Sequence, residues 1–181
     1  MNASLTARWR RVLTGLAAVF MLVGVGLTAS ATGASAAAFH PIKNSGSGLC
    51  LQPQGGSTAE LVAIVQMPCQ RGNPAQGWLE QRVGSHHYMF LNQASGFCFD
   101  VFGPAANGTR VLQGQCKRIS NEEFNTNVDL PAITVLESRV GFRDTGFCVD
   151  VPGGQSTPGL AVQVFRCNGT PAQSWVVGFD L

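Results

Sequence analysis

The chain has 181 residues, of which 12% are charged, with a formal net charge of +2 and 6 cysteines. That length suits one domain of ordinary size with a short extension. The positive balance comes from the start of the chain: beyond residue 36, nine of the 12 Lys and Arg stand against all 10 Asp and Glu, which leaves no basic surface for nucleic acid and no charge run for a membrane face.

Residues 1–36 pose their own problem. Arg8, Arg10 and Arg11 precede residues 12–27, an apolar run without a charge, and the small residues that follow end in Ala34-Ser35-Ala36. This order of features predicts a cleavable secretory signal peptide over 1–36. The run is short for a membrane span and closes on Ala-x-Ala, which argues against a permanent anchor. The expected destination is therefore extracellular. All the cysteines lie in residues 37–181, and their even number suits an oxidising compartment.

Along residues 37–181, helical periodicity is hard to find. Short β-branched and aromatic runs predict strands at 61–65, 88–91, 97–101, 133–136, 140–142, 147–151 and 161–165. Clusters of Gly, Pro, Asn and Ser at 54–58, 103–109 and 152–159 predict the turns between them. Many short strands at this spacing indicate an all-β sandwich or barrel in a single domain.

The strands fall into a repeat. Residues 47–78, 95–124 and 145–175 are imperfect copies of one another. Each opens on Gly-x-Cys at Cys50, Cys98 or Cys148, and carries a second cysteine at Cys69, Cys116 or Cys167. Each then closes on Gln76-Gly77-Trp78, Glu122-Glu123-Phe124 or Gln173-Ser174-Trp175. With their flanks the units span about 45–84, 93–130 and 143–179, a period of roughly 40–50 residues that fits repeat architectures. One β unit of this size cannot bury its apolar face alone. Three can close around a pseudo-threefold axis, with Trp78, Phe124 and Trp175 as equivalent core residues.

Three cysteine-bearing repeats ending in Gln-x-Trp resemble the ricin-type β-trefoil lectin domain. The resemblance runs from Ser47 to Trp175 and departs from the pattern in the middle copy, at Glu122-Glu123-Phe124. It implies twelve strands, arranged as a six-stranded barrel with a hairpin cap. It also implies one disulfide within each repeat (Cys50–Cys69, Cys98–Cys116 and Cys148–Cys167) and a shallow sugar pocket available in each.

The pocket can also be reasoned from the residues. Alternation puts Cys148 and Asp150 on one face of their strand, and Gln163, Phe165 and Cys167 on one face of theirs. If Cys148 and Cys167 sit directly opposite one another on antiparallel neighbours, Asp150 falls opposite Phe165. An ionised Asp accepts hydrogen bonds from two vicinal hydroxyls, while an aromatic ring covers the apolar face of a pyranose. Gln163 and Asn168 would add amide contacts. The resemblance implies that Gln173 steadies the Asp; it also calls for a polar residue just before that Gln, where this chain has Ala172. Taken singly, Asp150 reads as well as a turn-entry residue before Pro152-Gly153-Gly154, and Phe165 as a core aromatic. Their coincidence on one face beside the disulfide favours a binding role.

The other copies are poorer by the same reasoning. Asp100 falls opposite Gly114, so a carboxylate is present without its platform, unless Phe102 or Tyr88 supplies one from elsewhere. Gln52 falls opposite Met67, so the first copy has neither.

No nucleophile or metal constellation emerges. The chain lacks Gly-x-Ser-x-Gly and His-Glu-x-x-His. His86 and His87 are adjacent and read as surface residues, and the cysteine spacings do not suit zinc. Glu122 and Glu123 are neighbours that cannot face one substrate across a cleft. Asn107-Gly108-Thr109 and Asn168-Gly169-Thr170 match glycosylation acceptors but read first as turns. The expectation is thus a secreted, non-enzymatic carbohydrate-binding module without cofactor or metal. It would take galactose- or xylose-type glycans, best at the third repeat. Two alternatives stay open: a targeting or accessory subunit of a secreted toxin, and a protein-binding trefoil such as a protease inhibitor.

Overall fold

The computed structural model describes residues 38–180; the expected signal peptide lies outside them. Thirteen strands follow in order: β1 (Lys43–Asn44), β2 (Cys50–Pro53), β3 (Val62–Met67), β4 (Trp78–Gly84), β5 (His87–Asn92), β6 (Cys98–Val101), β7 (Thr109–Gly114), β8 (Phe124–Asn125), β9 (Ala132–Thr134), β10 (Glu137–Ser138), β11 (Phe147–Asp150), β12 (Gln163–Arg166) and β13 (Trp175–Val177). All form one antiparallel network.

The pairings repeat three times. The last strand of one unit pairs with the first of the next at β4·β5, β8·β10 and β13·β1. These pairs, with β5·β8 and a bridge from His40 to Trp78, build the barrel wall. The middle strands of each unit form hairpins, β2·β3, β6·β7 and β11·β12. The hairpins then close on one another in a triangle through β3·β7, β7·β12 and a bridge between Val65 and Ala161. The all-β trefoil read from the repeats is the observed architecture. One strand exceeds the expected twelve: β9 pairs only with β13 and sits in the stretch that joins the second unit to the third.

Trp78, Phe124 and Trp175 are fully buried in one continuous core, as expected for equivalent closing residues. The equivalence is chemical as well. The indole Nε1 of Trp78 donates to the Leu51 carbonyl at 3.0 Å, and that of Trp175 to the Val149 carbonyl at 3.0 Å. Phe124 has no N–H to give; instead it packs at 5.5 Å from the ring of Phe99, edge to face.

The three disulfides are Cys50–Cys69, Cys98–Cys116 and Cys148–Cys167, each within one repeat. The register differs from the one that placed the cysteines opposite each other. Cys148 pairs with Phe165 and Asp150 with Gln163. Cys98 pairs with Gly114 and Asp100 with Leu112. Cys50 pairs with Met67 and Gln52 with Val65. In every copy the second cysteine lies just past its strand and reaches back diagonally, with Cα atoms 5.0 Å apart. A shift of two residues keeps each side chain on the same face, so the expected face survives while its neighbours change.

Two local readings also change. Residues 140–142 form a turn, with Gly141 and Phe142 at positive φ, rather than a strand. The strand β4 has no apolar run to mark it, because Glu80 and Arg82 interrupt the pattern; they are held instead by His40 and Asp129.

Candidate functional site

The end of hairpin β11·β12 is folded by its glycines. After Asp150, a tight turn at Pro152–Gly154 places Gly153 and Gly154 both at φ 63, a conformation that side chains with a Cβ rarely adopt. The first copy uses the same device at Gly55 and Gly56. This turn folds back on the one at Pro171–Gln173, where the Ala172 carbonyl accepts the Val151 N–H at 3.1 Å.

A cleft of about 780 Å³ opens between these two turns and the strands. It gathers Asp150, Gln163, Phe165 and Asn168, four of the residues expected there. Asp150 is only 6% exposed, and its Oδ2 accepts a 3.0 Å hydrogen bond from Gln163 Nε2. Phe165 is 36% exposed, so its ring is wet on one side rather than a core aromatic. Among the described residues Gln163 alone donates to the Asp150 carboxylate, which leaves acceptor positions for hydroxyl donors.

Gln173 does not brace Asp150 as the resemblance implied. It is fully buried, accepts the Asn168 N–H at 2.8 Å and donates to the Arg166 carbonyl at 3.1 Å. It therefore fixes the stretch that carries Asn168, and Gln163 takes over the brace. In the first copy the implied bond does exist: Gln76 Nε2 donates to Gln52 Oε1 at 2.9 Å.

The other copies differ physically. The first-repeat cleft is about 300 Å³ and is lined by Gln52 and Met67, without a carboxylate or an aromatic. In the second repeat, Asp100 is half-buried beside Gly114. Burial pushes its carboxyl above the usual range, the Glu122 carboxylate pushes it further the same way, and Lys117 opposes them. Glu122 stands where the other copies have Gln, fully buried and accepting the N–H groups of Lys117 and Arg118. Asn121 is drawn off to the carbonyls of Val101 and Gly103. Tyr88 is buried and accepts the Leu130 N–H, so it is no platform, whereas Phe102 is 51% exposed.

The family model of ricin-type beta-trefoil lectin domain-like proteins matches residues 29–114. With the threefold pairing already described, that match decides the fold. The chain is a β-trefoil, and its matched part resembles the ricin-type lectin domain. The trefoil resembles the crystal structure of the designed 3-fold symmetric protein ThreeFoil, at 23% identity and a TM-score of 0.68 over 76% of this chain and 95% of that one. It also resembles an exo-beta-1,3-galactanase from Clostridium thermocellum, at 23% identity and a TM-score of 0.69 over 77% of this chain but 30% of the enzyme. A third likeness is to the Macrolepiota procera ricin B-like lectin in complex with lactose, at 23% identity and a TM-score of 0.59 over 78% and 95% of the two chains. No curated protein matches this chain.

Reasoning from sequence missed the residues that lock the trefoil together. Asn44 and Asn92 each accept two backbone N–H groups of their own turn and donate into the closing turn of the neighbouring unit, at Ala172 and Ala75. Buried Gln66 and Gln113 likewise reach the carbonyls of Thr157 and Ala59 in adjacent hairpins. The signal for the first pair was present as Asn-x-x-Ser-Gly-x-Cys, at Asn44 to Cys50 and Asn92 to Cys98. Among the described residues no cluster of three or more His, Cys, Asp or Glu could hold a metal ion.

Proposed function

We propose that this chain is a secreted carbohydrate-binding module whose working site is the third-repeat cleft, with galactose- or xylose-type glycans as ligands. The domain would begin near residue 37, after removal of the signal peptide at 1–36, and three intrachain disulfides suit that extracellular setting. The observation that carries the reading is the convergence of Asp150, Gln163, Phe165 and Asn168 on one open cleft. A buried, braced carboxylate offers directional acceptors for vicinal hydroxyls, and a half-exposed ring offers an apolar face. The likeness to a lectin solved with lactose supports the same ligand class. The chain spans 30% of the galactanase it resembles, so that enzyme's reaction is not carried over, and a non-catalytic role is proposed. A glycan array on the secreted domain tests the reading: bound galactosides or xylosides, lost on Asp150→Ala, support it. Binding to no glycan, or binding indifferent to Asp150, contradicts it.

A further inference from the structure

The chain contains two Asn-Gly pairs in the same triplet, Asn107-Gly108-Thr109 and Asn168-Gly169-Thr170. Asn followed by Gly is the pair most open to attack of the following backbone nitrogen on the side-chain amide, because no Cβ shields that nitrogen. Both pairs are exposed, so exposure does not separate them. Their hydrogen bonds do.

Asn107 is tied to the sheet on both sides. Its Oδ1 accepts the Arg166 N–H at 2.9 Å, and the Gly108 N–H donates to the Val164 carbonyl at 3.0 Å. The nitrogen that would attack is committed to strand β12. Asn168 is the opposite case. Among the described residues no protein acceptor takes the Gly169 N–H, and Gly169 sits at φ +70. The Asn168 Oδ1 accepts from Thr170 N at 3.0 Å and from Thr170 Oγ1 at 2.7 Å. Those bonds hold the Asn168 side chain to its own turn and not to a strand.

We propose that Asn168-Gly169 is a deamidation site on the rim of the third-repeat cleft, and that its conversion switches the cleft off. The Gly169 nitrogen gives up its proton to solvent and bonds to Asn168 Cγ. The bond from Cγ to Nδ2 breaks and ammonia leaves, giving a cyclic imide. Water then opens the imide at either carbonyl, to aspartate or isoaspartate; the net change is water in and ammonia out, with no redox step. Either product places a second carboxylate in the cleft that holds Asp150, which disfavours two charges there. Isoaspartate also reroutes the backbone between Asn168, held by Gln173, and the turn at Pro171–Gln173. The chemical step stands without any ligand; the loss of binding rests on the sugar reading of the cleft.

The test follows the purified full domain at mildly alkaline pH by peptide mapping and mass spectrometry. The Asn168 peptide should convert many-fold faster than the Asn107 peptide, and the two rates should converge in the reduced, denatured chain because the triplets are identical. Equal rates in the folded protein, or Asn107 converting first, overturn the proposal, as does the same disparity persisting after denaturation. Retention on a lactosyl or xylan support then reads the consequence. Asn168→Asp should lose most retention and Asn107→Asp should keep it; an Asn168→Asp variant retained like the parent overturns the switch. If the fresh parent is retained on neither a lactosyl nor a xylan support, the sugar reading and the switch fail together, while the peptide masses still decide the modification site.

Discussion

Gln163 donates to Asp150 directly across the β11·β12 pair, Nε2 to Oδ2 at 3.0 Å. The residues in the corresponding register position are Val65 in the first hairpin and Leu112 in the second. Only the third copy therefore has an amide to orient its carboxylate. Gln163→Leu, which copies the second repeat, should weaken sugar binding by roughly tenfold, the scale of one hydrogen bond to a charged group. The melting temperature should hardly change, since Gln163 is partly exposed. Titration calorimetry and a thermal melt check both halves; full affinity in this variant would mean that Asp150 is oriented without the brace.

The closing tryptophans make a second prediction. Trp175 is fully buried and its Nε1 caps the Val149 carbonyl. Trp175→Ala should cost about 3–5 kcal/mol. Trp175→Phe should cost less, about 1–3 kcal/mol, mainly from the carbonyl left without its donor, because Phe124 already fills that position in the second repeat. Urea unfolding at equilibrium measures both. A Trp175→Ala variant that melts like the parent but no longer binds sugar would make Trp175 a platform instead of a core residue.

Much of this was legible in the repeat. The periodic Gly-x-Cys and Gln-x-Trp elements carry the trefoil, the disulfide pairing and the burial of Trp78, Phe124 and Trp175, since each is a position the fold needs three times. The face shared by Asp150, Gln163 and Phe165 was legible too, because a two-residue slip preserves faces. What the sequence could not supply was the slip itself. Cys167 lies beyond β12, and the reach of a disulfide, with Cα atoms 5.0 Å apart, admits a diagonal as readily as a direct partner. The brace on Asp150 was implied by the resemblance to be Gln173, whereas Gln163, which the slip brings opposite Asp150, supplies it. The clamp by Gln66 was missed because its acceptors are backbone carbonyls of another repeat, which leave no mark in side-chain pattern; that by Asn44 left its mark in the repeated Asn-x-x-Ser-Gly-x-Cys.

Asp100 gives a pH prediction. Burial and the Glu122 carboxylate raise its pKa in the folded state. Between the unfolded and folded values the native protein holds the proton that the unfolded chain has lost, so stability falls as pH rises through that window. Asp100→Asn should therefore raise the melting temperature at neutral pH, with the gain vanishing at pH values acid enough to protonate Asp100 in both states. Thermal melts across acid to neutral pH read this directly. An Asp100→Asn variant less stable at neutral pH would mean that the carboxylate is paired in a way that favours its charge.

The disulfides add a stability prediction. Replacing Cys98 and Cys116 together with Ala should cost about 3 kcal/mol, the chain-entropy value for a loop of this length. The two other bridges should still form, which peptide mapping of the oxidised variant would verify. A bridge joining different repeats in the parent protein would contradict the fold's threefold pairing.

The central claim is that the third repeat is the binding site, and titration calorimetry of the single-repeat variants with a simple galactoside tests it most directly. One shallow site should bind a monosaccharide weakly, on the order of millimolar, or about −4 kcal/mol. Binding should vanish in the Asp150→Ala, Phe165→Ala double variant, and should be unchanged in Gln52→Ala and nearly so in Asp100→Ala. Undiminished binding in the double variant, with loss in Asp100→Ala or Gln52→Ala, would contradict the assignment.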